Sequence, residues 1–149
     1  MRILNIQEEI VMISLIIGCK GSGKTKHLIA EVNAAVEKSN GHVVCVEKET
    51  KLTYDVNSRA RLVAADYFDV HGYDAFYGFL SGICAGDHDI TDILVDATLR
   101  IGSRDYEELA DFLKKVDNLS QLTDAKFTFT ISADESVLPE RIYEYCQKI

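Results

Sequence analysis

The chain has a single proline, Pro139, and no low-complexity tract or internal repeat within its 149 residues. Nothing in the composition marks a linker, so one compact domain is expected, long enough to bury roughly two-thirds of its unfolded surface. No apolar run approaches the ~20 residues that span a bilayer, and Met1 to Met12 lacks the apolar core of a signal peptide. A cytoplasmic protein without a membrane partner is the expectation. Positive charge is also scarce, with 16 Lys and Arg against 24 Asp and Glu, a formal net charge of -8 and no Lys/Arg run. That balance argues against direct nucleic-acid binding, where a basic face supplies the affinity. Cys19, Cys45, Cys84 and Cys146 form no C-x-x-C pair and have no histidine at ligand spacing, which argues against a zinc site or a disulfide framework. Cys45 and Cys84 lie in apolar runs and read as small core residues.

Against these absences stands one strong pattern. Gly18-Cys19-Lys20-Gly21-Ser22-Gly23-Lys24-Thr25 spells G-x-x-x-x-G-K-T. It follows a β-branched apolar run, Ile13 to Ile17, and precedes apolar residues at helical spacing, Leu28, Ile29, Val32 and Val36, with Asn40-Gly41 as the stop. Strand, glycine loop and helix form the context in which this pattern cradles phosphates. Backbone N–H groups point inward and the helix N-terminus adds partial positive charge. The phosphate-binding set is therefore Gly18, Cys19, Lys20, Gly21, Ser22, Gly23, Lys24, Thr25 and Lys26. Lys24 reaches the outer phosphates, and the Thr25 hydroxyl is a ligand for Mg²⁺. A nucleoside triphosphate is the implied ligand.

Further strands are expected at His42–Glu47, Arg61–Ala65, Asp92–Asp96 and Lys126–Ile131. Helices are expected from an Asp74 cap to Ala85, with Gly78 and Gly82 pressed closely on a neighbour, and from a Ser103 cap over Leu109, Phe112, Leu113 and Val116. A last helix should open at Pro139 and carry Ile142, Tyr145 and Cys146. Strands alternating with helices indicate an α/β fold, a three-layer α/β/α sandwich around a mainly parallel five-stranded sheet. Residues 1–11 read as an N-terminal appendage and 12–149 as the nucleotide-binding domain.

A phosphate loop needs a second carboxylate to hold Mg²⁺, and Ile93-Leu94-Val95-Asp96 places Asp96 where a Walker B residue belongs. Ala97 and Thr98 follow, so the glutamate found next in many ATPases is missing. Glu47 and Glu49, at the end of the second strand, are the remaining candidates to orient water, with Lys24 as third catalytic residue. Arg100 and Arg104 stand near enough in sequence to offer charge to a terminal phosphate, although surface roles are the plainer reading. Ser132-Ala133-Asp134 lies where the base is often contacted, and Tyr54, Tyr67, Tyr73 and Tyr77 read as packing residues that could rim a second substrate. Asp87-His88-Asp89 reads as a polar turn.

On these motifs the chain resembles the RecA-like branch of the P-loop NTPases, and is similar in layout to small bacterial ATP-binding proteins of unassigned role. The resemblance implies a P-loop NTPase fold, ATP and Mg²⁺ as cofactors, and ATPase activity. Absence of the guanine-selective N-K-x-D motif tilts the base toward adenine. A small-molecule kinase and an ATP-sensing module without turnover remain alternatives, with a homo-oligomer or protein partner possible. Strand order separates the RecA-like reading from the kinase: in a kinase-like sheet the Asp96 strand would neighbour the first strand.

Overall fold

Six strands and four helices make up the computed structural model, which describes residues 10–52 and 55–149. Residues 1–9 of the expected appendage, and Tyr54, lie outside the described residues. The strands are β1 (Ile13–Gly18), β2 (His42–Glu47), β3 (Ala60–Ala64), β4 (Ile90–Val95), β5 (Lys126–Ser132) and β6 (Cys146–Lys148). The helices are α1 (Lys24–Lys38), α2 (Tyr73–Gly86), α3 (Thr98–Ile101) and α4 (Tyr106–Thr123). Every pairing is parallel, in the order β3-β2-β4-β5-β1-β6. Asp96 follows β4, and β5 separates that strand from β1.

Side-chain alternation explains the layering. Ile16, Val43, Cys45 and Leu94 point to one face and pack with Leu28, Val32 and Val36 of α1. Their sequence neighbours Leu15, Val44, Val46, Ile93 and Val95 point to the other face, where α2 and α4 supply Phe76, Leu80, Leu109 and Leu113. Phe112 bridges helix and sheet on that face, its ring centroid 4.8 Å from Phe76 and 5.7 Å from Phe129. Each fully buried aliphatic or aromatic side chain contributes about 1.5–3 kcal/mol of transfer free energy at most, so both layers are needed.

The sheet has six strands rather than the expected five. The terminal helix expected from Pro139 is instead a 3-10 turn, Glu140–Glu144, followed by β6. The Ile142, Tyr145, Cys146 spacing is helical, but β1 would otherwise leave a row of unpaired backbone groups at a sheet edge. Cys146 sits in register with Ile13 and satisfies it. The long helix is capped by Asp105, which accepts from the N–H groups of Glu107 and Glu108, while Ser103, expected as the cap, lies two residues earlier, where its Oγ accepts from the Asp105 N–H and donates to Glu108 Oε1. α2 begins one residue before Asp74, after Gly72. Gly78 and Gly82 do not press on a neighbour either: a Cβ at either position would meet nothing within 4 Å. Cys45, Cys84 and Cys146 are buried, and Cys19 is exposed. Among the described residues no helix is long and apolar enough to cross a membrane.

Candidate functional site

β1 ends at Gly18, and the chain turns through residues 19–23 before α1 begins at Lys24. The turn requires left-handed backbone at Gly21 (φ 85°) and Gly23 (φ 88°), where a side chain would be strained. Gly23 gives α1 no side-chain cap, and the first turn holds no acidic residue. The first N–H groups of the helix are thus left for an outside acceptor, in a positive dipole end suited to an anion. The Cys19 carbonyl accepts from the Ser22 N–H at 3.1 Å and from Lys24 Nζ at 2.9 Å, so the ammonium is folded onto its own loop.

The loop opens on a cavity of about 940 Å³ at the C-terminal ends of the strands. Lys20, Gly21, Gly23, Lys24, Thr25 and Lys26 line it, while Gly18, Cys19 and Ser22 are not among its lining residues. Thr25 Oγ1 donates to Asp96 Oδ2 at 3.4 Å across 71 residues of sequence, and both side chains face the cavity. A hydroxyl and a carboxylate are hard oxygen donors suited to Mg²⁺.

Asp96 is held from three directions. Its N–H donates to the Val46 carbonyl at 2.8 Å. Thr130 Oγ1, on β5, donates to Asp96 Oδ1 at 2.7 Å and accepts from the Ala97 N–H at 3.0 Å. Ala97 itself has φ 59°, a left-handed conformation that a non-glycine residue holds only under constraint. Thr130 is 2% exposed and escaped the sequence reading. Its only signal was polarity in a strand whose alternate residues, Phe127, Phe129 and Ile131, are all apolar.

The two glutamates differ. Glu47 is 3% exposed, and its Oε1 accepts from the Lys51 N–H at 2.8 Å. Burial pushes its carboxyl up, the Lys51 and Leu52 N–H groups oppose that shift, and the Asp96 charge adds to it. Glu47 therefore braces the turn after β2 while also lining the cavity. Glu49 is at the rim, where Arg100 Nη2 donates to its Oε1 at 3.0 Å. Lys48 pairs with Asp66 at 2.7 Å, and that ammonium is the first cause of the Asp66 carboxyl lying below its ordinary value.

The cavity collects positive charge that no run in the sequence announced. Lys20, Lys24 and Lys26 come from the loop and α1; Lys48 and Lys51 follow β2; Arg100 and Arg104 follow β4. Among the described residues, acidic lining is limited to Glu47, Glu49 and Asp96. On a chain of net charge -8, this is a local field that draws in anions. Arg104 donates to the Ser132 carbonyl at 3.2 Å, bringing the end of β5 to the rim. Asp134 turns away and accepts from the Ser136 N–H at 2.9 Å.

Other candidates lie elsewhere. Tyr73 donates to the Ser103 carbonyl at 2.6 Å, Tyr77 lies under Lys115, and Tyr67 is 83% exposed; none of these lines the cavity. At the opposite end of the sheet His42, rather than His88, joins Asp87 and Asp89, with Nδ1 2.6 Å from Asp87 Oδ2. No family model matches the chain, and no curated protein matches it.

Proposed function

We propose that this chain is a Mg²⁺-dependent ATP-binding protein of the P-loop NTPase superfamily, in its RecA-like branch, acting as an ATPase. The single observation that carries the reading is the meeting of Thr25 and Asp96 over an uncapped helix N-terminus, beside Lys24. Lys24 and the loop amides would hold the phosphates, and Thr25 and Asp96 would hold the metal, which neutralises charge on the phosphate oxygens when bound. The position of β5 between β1 and β4 favours the RecA-like branch over a kinase-like sheet. Adenine is preferred to guanine in this proposal because N-K-x-D is absent.

Glu47 or Glu49 would orient the attacking water. Both are engaged, Glu47 by the turn after β2 and Glu49 by Arg100, so one must be re-aimed for turnover. That engagement favours, as a second reading, an ATP-sensing module whose loops change partner binding. Steady-state phosphate release decides between them. The ATPase reading expects release above a Lys24→Ala control, reduced in Glu47→Gln or Glu49→Gln. Release no greater than that control leaves the sensing reading, which expects an oligomeric state or partner affinity that changes with Mg·ATP.

A further inference from the structure

We propose that Arg100 reads the terminal phosphate of the bound nucleotide, and that Glu49 holds it aside until that phosphate arrives. The inference rests on the nucleotide-binding reading above. Arg100 and Glu49 line the same cavity as Lys24, Thr25 and Asp96, and they face each other at 3.0 Å. Their side chains are 52% and 45% exposed, so water weakens the pair and a stronger anion displaces the carboxylate. A terminal phosphate carries more charge than a carboxylate and takes the guanidinium fork on two oxygens.

Arg100 lies on α3. α3 is a single turn, entered through the left-handed Ala97 directly after Asp96. Thr98, its first residue, is fully buried, and its Oγ1 has no hydrogen-bond partner among the described residues. Thr98 belongs to the lining of the same cavity as Arg100. Lys48, the neighbour of Glu49, is tied to Asp66, which leaves Arg100, among the described residues, as the rim cation whose carboxylate partner itself lines the cavity.

A double-mutant cycle read by calorimetry with Mg·ATP and Mg·ADP tests this. Arg100→Ala is expected to weaken ATP about tenfold, with ADP changed less than about twofold. Glu49→Gln, by freeing Arg100, is expected to tighten ATP roughly threefold and leave ADP unchanged. The double variant should behave as Arg100→Ala alone. Equal weakening of ATP and ADP by Arg100→Ala, or no gain from Glu49→Gln, overturns the inference while leaving the nucleotide-binding reading intact. Binding of neither nucleotide, or binding indifferent to Lys24→Ala, removes that reading and this inference with it. Circular dichroism of each variant separates loss of fold from loss of contact.

Discussion

Replacing Thr130 by valine keeps the shape of the side chain and removes its hydroxyl. Two hydrogen bonds go with it, one to Asp96 Oδ1 at 2.7 Å and one from the Ala97 N–H at 3.0 Å. A hydrogen bond to a charged acceptor contributes about 1.5–3 kcal/mol, and an N–H left without its partner costs about 1–3 kcal/mol. Ala97 and Asp96 are partly exposed, so water replaces some of what is lost and the low end of each range applies. Thr130→Val should therefore destabilise by about 2–3 kcal/mol, equivalent to roughly 5–10 °C in melting temperature for a chain of this size. Thr130→Ser retains the hydroxyl and loses one methyl, at about 1 kcal/mol. Urea unfolding of the three proteins measures the difference. Because the hydroxyl also aims Asp96, Mg·ATP affinity should fall in Thr130→Val more than affinity for metal-free ATP. Equal stability of the valine and serine variants refutes the bracing role assigned to Thr130.

Gly82→Ala on α2 should stabilise by about 0.5–1 kcal/mol, because the position is helical and a Cβ there meets nothing within 4 Å; a lower melting temperature contradicts it. His42 should titrate above its ordinary 6.5, raised chiefly by its hydrogen bond to Asp87. Its contribution to stability is complete below 6.5 and is lost as pH rises through the raised value, so melting curves across that window should lose the dependence in Asp87→Asn. In the native protein Cys19 should react first with a thiol reagent at pH 8. Cys45 and Cys146, pushed up to about 12 by burial, should stay silent until unfolding, and Mg·ATP should slow Cys19. Rapid loss of a second thiol, counted spectroscopically, contradicts that order.

The strand, loop and helix from Ile13 to Lys38 were legible because each signal is local: β-branched residues, glycines at fixed offsets, then helical spacing. Asp96 was legible as the acid closing an apolar strand. What escaped was set by partners distant in sequence. β6 forms because the edge of β1 needs pairing, which overrides the helical spacing of Ile142, Tyr145 and Cys146. Thr130 matters because β5 lies beside β4, a neighbour relation that no local pattern encodes. The cationic rim is assembled from separated segments, so an acidic composition concealed it. Glu47 and Glu49 sit where expected, but the Lys51 N–H and Arg100 already occupy them.

In the proposed function, residues 18–26 grip a triphosphate. Isothermal titration with Mg·ATP and Mg·GTP, on the wild type and on Lys24→Ala, addresses it directly. Saturable heat with Mg·ATP, weaker heat with Mg·GTP and loss of both signals in the variant is the predicted result. Absence of saturable heat with either nucleotide, or heat unchanged by Lys24→Ala, contradicts it.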